Sequence, residues 1–173
     1  LLAQAAARIP LPHRVRHARE VGSASVGTDV EREKLLAAEA AAALVEDGMA
    51  VGLGTGSTAA YFVSALAARR LEIRCVATSL ATERAALDRL DIAVDGADQV
   101  APDRWLVKGG GGAHTREKVV AAAAERFVVI ASSDKLVEAI RPPVPLELLQ
   151  YGLTSTLARL GHARVRDGAP PSP

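Results

Sequence analysis

Cysteine is almost absent from this 173-residue chain, where Cys75 stands alone. A single thiol excludes an intrachain disulfide, a CxxC redox pair and a cysteine-built metal site, and it fits a reducing compartment. Aromatic residues are scarce, with one Trp, two Tyr and two Phe, so the aromatic interleaving of many nucleic-acid-binding surfaces is missing. Neither sign of charge prevails: 21 Lys and Arg face 20 Asp and Glu, a net +1. No field favours a phosphate backbone. Long apolar runs are lacking too, because Arg, Glu or Gly breaks each alanine-rich window well short of the roughly 20 residues a bilayer crossing needs. No nucleic-acid or membrane partner is therefore expected, and a cytoplasmic location is.

What remains is an ordinary globular composition, 49% apolar and 24% charged, with a mean hydropathy of +0.15. The length suits one full domain and part of a second. Residues 1–30 carry Arg8, Arg14, Arg16 and Arg19, two prolines and a Gly/Ser/Thr/Ala stretch. They read as a flexible N-terminal extension, whose composition also resembles that of a targeting peptide.

From Glu31 to Glu46 the spacing of Leu35, Ala38, Ala42 and Val45 predicts an amphipathic helix, stopped by Asp47-Gly48. Strands are expected at Met49–Leu53, Glu72–Ala77, Leu90–Val94 and Phe127–Ala131, with a short extended run at Trp105–Lys108. Helices are expected at Ser57–Arg70, Thr82–Leu87 and Thr115–Arg126. Strands alternating with helices define a doubly wound, Rossmann-like α/β sheet over residues 31–141, with ligands at strand carboxyl ends. After Pro142-Pro143 a helix at Leu153–Leu160 and a strand at Ala163–Arg166 read as the beginning of an incomplete second α/β domain, residues 142–173. Cys75, Trp105 and Phe127 are expected in the core.

Three segments could carry chemistry. Gly52-Leu53-Gly54-Thr55-Gly56-Ser57-Thr58 joins a strand to a helix, where backbone N–H groups and three hydroxyls can surround an anion, or where the chain simply turns. The dinucleotide spacing G-x-G-x-x-G fails at Ser57, no acidic residue ends the next strand, and no Walker lysine follows. Asp95 and Asp98 end a strand, as hydroxyl-binding or proton-sharing carboxylates or as solvated loop acids. Only two hard ligands converge there and His114 has no His partner, so no metal is expected. Lys108 precedes Gly109, Gly110, Gly111 and Gly112, a run that is costly unless backbone geometry or a close ligand requires it. Glu117 falls in the first turn of the next helix, where the helix dipole keeps a carboxylate ionised and ready to accept a proton; a plain surface helix is the alternative. Lys108 can supply positive charge to an oxyanion. Lys135 lies after the last strand, for an anion or for solvent.

In this combination the chain resembles ribose-5-phosphate isomerase of the A type, over about residues 31–166. The resemblance rests on GLGTGSTAAYF at 52–62, TSLATE at 78–83, DIAVDGADQV at 91–100, KGGGGAHTREK at 108–118 and IASSDKLV at 130–137. It implies an aldose–ketose isomerase of the non-oxidative pentose phosphate branch that interconverts D-ribose 5-phosphate and D-ribulose 5-phosphate through a cis-enediolate. Glu117 would be the base and Lys108 the oxyanion partner, while Asp95 and Asp98 would bind hydroxyls and assist ring opening. Gly54, Thr55, Gly56, Ser57 and Thr58, with Gly109, Gly110, Gly111, Lys34 and Lys135, would hold the phosphosugar. The resemblance implies no cofactor and a homodimer or homotetramer.

The chain departs from the family pattern in a shorter connection between Glu83 and Asp91, in Gln99 where Glu is usual, in His114 where an apolar residue is usual, in Gly112 where Ala is usual, and in the incomplete smaller domain. A non-catalytic sugar-phosphate-binding domain and an inactive fragment of the same family are the alternatives.

Overall fold

The computed structural model describes residues 26–77 and 90–167. The expected helix at 82–87, the block at 78–83 and residues 1–25 lie outside them.

Helix α1 (Val26–Ala42) leads to β1 (Ala50–Leu53), α2 (Ser57–Arg69), β2 (Arg74–Ala77) and β3 (Leu90–Asp95). A hairpin of β4 (Gln99–Val100) and β5 (Leu106–Val107) comes next, then α3 (His114–Ala123), β6 (Ala124–Val129), a 3-10 turn at Ser133–Lys135 and α4 (Leu153–Leu160). Four strands form one sheet in the order β2-β1-β3-β6, with every pairing parallel. The fold is therefore the expected doubly wound α/β sheet.

Side-chain alternation splits the core across the two sheet faces. On one face Val51, Ile92 and Val94 meet Ala38, Ala41, Ala42, Val45, Phe62 and Leu66 of the α1–α2 layer. On the other, Ala50, Val76, Leu90, Ala93 and Phe127 meet Val120 of α3. Gly52 belongs to the second face because a Cβ there would come within 2.7 Å of Val120 Cγ1.

Several boundaries differ from those the sequence predicts. α1 starts at Val26, inside the segment expected to be flexible, and gives way after Ala42 to tight i→i+3 turns at Leu44 and Val45. Arg69 of α2 donates to the carbonyls of Ala42 and Val45, the latter at 2.6 Å, and so closes the end of α1. Leu35 is 40% exposed rather than buried, because the alanine side of α1 is the one that packs. β6 starts at Ala124, three residues early: Ala124 pairs with Leu90 at the first residue of β3, and that register overrides the helix propensity of the alanines. Cys75 is exposed, not buried, on the edge strand β2. Trp105 is only half-buried. Ala163–Arg166 pairs with no strand among the described residues, whereas α4 spans the predicted residues.

Candidate active site

β1 and β3 lie side by side at the centre of the sheet, and the chain leaves them toward opposite edges. This is the topological switch point, where doubly wound sheets open a crevice at their carboxyl ends. The Gly54 amide donates to the Val94 carbonyl at 2.8 Å, which brings the glycine loop against Asp95. A Cβ at position 54 would lie 2.0 Å from Asp95 Oδ1, so only glycine leaves the carboxylate in place.

Asp95 is 3% exposed, and its Oδ1 accepts from the amides of Thr55 (3.2 Å) and Gly96 (2.7 Å). The β4–β5 hairpin turns the chain back on itself, with Asp98 N donating to the Val107 carbonyl at 2.7 Å, and so returns Lys108 to the end of β3. There Lys108 Nζ meets Asp95 Oδ2 at 2.8 Å and the Gly96 carbonyl at 2.6 Å. Burial pushes the Asp95 carboxyl above its ordinary range, and the Lys108 ammonium pulls it part of the way back.

Glu117 projects from the first turn of α3 and is 5% exposed. Its Oε1 accepts from Thr55 Oγ1 at 2.8 Å, and its Oε2 lies 3.4 Å from Lys108 Nζ. Oε2 is buried and accepts no hydrogen bond. A carboxylate held by one oxygen, with a free lone pair on the other beside a cation, can take a proton from a bound molecule and return it. The α3 amide of Thr115 is capped from a distance by Glu147 Oε2 at 2.6 Å.

The structure thus brings Asp95, Lys108, Glu117 and Thr55 together. Asp98 stands apart from that cluster: it is exposed, and its Oδ2 accepts from the Gly110 amide at 2.8 Å. A Cβ on Gly110 would meet Asp98 Oδ1 at 2.6 Å, so this glycine makes room for the aspartate. Gly109 has φ +100° and closes the turn by accepting from Gly112 N at 3.0 Å, while Gly111 is exposed. Ser57 and Thr58 stand in the first turn of α2, beside Gly56 (φ +95°), and no side chain caps that helix.

The two distal lysines already have counter-ions. Lys34 Nζ pairs with Glu31 Oε1 at 2.7 Å, which raises the lysine pKa and lowers that of the glutamate. Tyr61 of α2 donates to Glu31 Oε2 at 2.6 Å. Lys135 pairs with Asp134 at 3.0 Å, and the Ser132 hydroxyl donates to Asp134 and holds that carboxyl below its usual range.

Glu147 and Arg166, whose Nη1 donates to the Gly110 carbonyl at 2.8 Å, had no local signal in the sequence, whereas Glu31 at i,i+3 from Lys34 and Asp134 next to Lys135 had one that sequence reasoning missed. Gln99 does have a reading: its amide donates to the Arg141 carbonyl and accepts from the Arg141 amide, both at 2.8 Å. A glutamate could do only the second.

Fold and site together define a doubly wound α/β protein with a buried acid–base cluster at its switch point. The family profile of ribose 5-phosphate isomerase A (phosphoriboisomerase A) matches residues 61–170, and the chain belongs to that family. The ribose-5-phosphate isomerase A of Caulobacter sp. (strain K31) is 50% identical over 141 residues, covering 74% of this chain and 62% of that protein. That of Nitrobacter hamburgensis is 47% identical over 152 residues, covering 79% and 66%. The chain thus spans slightly under two thirds of these relatives. Among solved structures, ribose 5-phosphate isomerase A from Methanocaldococcus jannaschii superposes with a TM-score of 0.68 at 36% identity, covering 75% of this chain and 66% of that one. A D-ribose-5-phosphate isomerase in complex with phospho-erythronic acid gives the same TM-score and identity, covering 76% and 66%.

Proposed function

We propose that this chain is an aldose–ketose isomerase that interconverts D-ribose 5-phosphate and D-ribulose 5-phosphate through a cis-enediolate. The observation that carries the reading is the buried Oε2 of Glu117, without a hydrogen bond, next to Lys108 Nζ, which Asp95 also holds. Glu117 removes the C2 proton of the open-chain aldose. The C–H electron pair becomes the C1–C2 double bond, and the negative charge arrives on O1, beside the Lys108 ammonium. A proton passes from O2 to O1, Glu117 returns its proton to C1, and O2 becomes the ketose carbonyl. Atoms and charge balance with no other reactant.

Asp95, held by Lys108 and two amides, binds a sugar hydroxyl and assists ring opening; Asp98 serves the same end from the glycine turn. The 5-phosphate lies at the N-terminus of α2, by the Gly56 amide and the hydroxyls of Ser57 and Thr58, while Gly54 and Thr55, bonded to Val94 and Glu117, shape the loop around it. Lys34 and Lys135 complete its charge by exchanging their carboxylates for phosphate, and Gly109–Gly111 line the sugar. Residues 31–141 act as the catalytic domain of a cytoplasmic homodimer or homotetramer, and residues 142–173 begin a second, smaller unit. In support of that division, α4 buries no residue and Tyr151 is 95% exposed.

The test is conversion of ribose 5-phosphate by the purified chain beside its Glu117→Gln variant. Loss of a base contributes about 10²–10⁴-fold, so turnover in the parent and none in the variant is expected. Phosphosugar binding without turnover in the folded parent would replace the isomerase with a sugar-phosphate-binding domain.

A further inference from the structure

Glu33 belongs to none of the groups described above, yet it spans a hundred residues of sequence. Its Oε2 accepts from the Ser133 amide at 2.6 Å and its Oε1 from the Ser133 hydroxyl at 2.9 Å. One carboxylate thus takes both donors at the start of the 3-10 turn Ser133–Lys135, and the turn has no side-chain cap of its own. Hydrogen bonds to an ionised acceptor are about twice as strong as neutral ones, and two on one carboxylate fix its partner's orientation.

Two residues earlier on the same helix, Glu31 reaches the other way. It holds Lys34 of its own helix and Tyr61 of α2. α1 therefore bridges the helix whose N-terminus faces the switch point and the turn that follows β6. Lys34 and Lys135, the two cations assigned to the phosphate, lie next to these anchor points in sequence, and Lys34 also feels the charge of Asp134 in the turn.

We infer that Glu33 is a positioning residue for phosphate binding, clamping the Ser133–Lys135 turn to α1 so that Lys34 and Lys135 are presented together. The inference rests on the assignment of these lysines to the phosphate. Glu33 touches no reacting atom, so its loss acts on binding and leaves the acid–base step alone. Its charge works in the opposite sense: a carboxylate near an anion repels it, and removing it without the clamp would tighten binding. The two effects have opposite signs and can be told apart.

The experiment measures the Kd of inorganic phosphate by calorimetry, and kcat and KM for ribose 5-phosphate, for the parent chain, Glu33→Ala, Glu33→Gln and Ser133→Ala. Thermal melts accompany each variant. Loss of one or two charge-assisted hydrogen bonds predicts that Glu33→Ala raises both Kd and KM by about five- to tenfold with kcat within about twofold. Glu33→Gln, which keeps an acceptor without the charge, restores most of the affinity. Ser133→Ala removes one donor only and falls between; should Glu33→Ala not fold, the Gln and Ser133 variants alone decide. An unchanged or tighter Kd in Glu33→Ala overturns the clamp, as does a fall in kcat with KM unchanged. A parent that binds phosphate without turning over ribose 5-phosphate removes the isomerase reading and leaves the Kd comparison to judge the clamp. A parent that binds no phosphate overturns the clamp directly.

Discussion

Replacing Lys108 with Met removes the one ammonium shared by two buried carboxylates. The side chains of Lys108, Asp95 and Glu117 are 12%, 4% and 6% exposed, so water screens the pairs little. At an effective dielectric of about 20 the gross attractions at 2.8 and 3.4 Å come to about 6 and about 5 kcal/mol. Desolvation of the ammonium offsets much of this. Breaking one side of such a buried pair costs about 3–5 kcal/mol, because the remaining charge is left uncompensated. That is a large part of the roughly 5–15 kcal/mol that holds a domain together.

A pH signature separates this loss from simple loss of packing. Burial already raises the folded-state pKa of Asp95, so between the ordinary carboxylate value and the raised one the native chain keeps a proton that the unfolded chain has released. Stability therefore falls as pH rises through that window. Without Lys108 the window extends upward, and the penalty of the variant is larger at pH 7 than at pH 5. Urea unfolding of parent and variant at both pH values measures it. A difference under about 1 kcal/mol at pH 7, or one that does not shrink at pH 5, refutes the reasoning. On the proposed mechanism turnover would fall as well, by the 10²–10³-fold typical of a lost oxyanion partner.

Gly54→Ala places a methyl 2.0 Å from Asp95 Oδ1, so it should cost about 1–3 kcal/mol and remove most turnover; an unaltered melt and rate would show that the loop yields freely. Gln99→Glu keeps the bond from the Arg141 amide and loses the one to its carbonyl, for an expected loss of about 0.5–1.5 kcal/mol by urea unfolding with kcat unchanged. Cys75 should react with an aromatic disulfide reagent in the native state, more slowly than a free thiol because burial of part of the side chain raises its pKa. Labelling that waits for unfolding would contradict its exposure.

Much of the switch-point architecture was legible in the sequence because it is written in local backbone signals. The turn from β1 through Gly54-Thr55-Gly56 into α2 needs glycines where the structure has them, and Asp95 sits where an apolar strand ends. Glu117 was readable from its place in the first turn of a helix after a glycine run. What was not legible depends on distant partners. β4 is two residues long and shows no period. Which side of α1 packs was decided by α2, and the alanine side won over Leu35. The pairing of Glu33 with Ser133, of Glu147 with Thr115 and of Gln99 with Arg141 joins segments whose sequences carry no mutual mark. Glu31 and Asp134 differ: they lie three residues and one residue from the lysines they already occupy, so these two pairings are local in the sequence.

The two halves of the site are built differently, and that difference orders their rigidity. Asp95, Lys108 and Glu117 come from one continuous stretch, the end of β3, the hairpin after it and the first turn of α3. β3 is paired on both sides, and all its residues but Asp91 are buried. The acid–base cluster is thus anchored to a buried strand paired on both sides, which belongs to the slowly opening part of a sheet. The groups proposed to hold the anion come instead from α1, the α2 N-terminus and the 3-10 turn, joined by exposed side-chain hydrogen bonds such as Tyr61 to Glu31 and Ser133 to Glu33. Being exposed to water, such bonds open more readily than the buried ladder of β3. Perturbations of α1 or of the turn should consequently appear as weaker phosphate binding at constant kcat, while perturbations around β3 should strike chemistry and folding together.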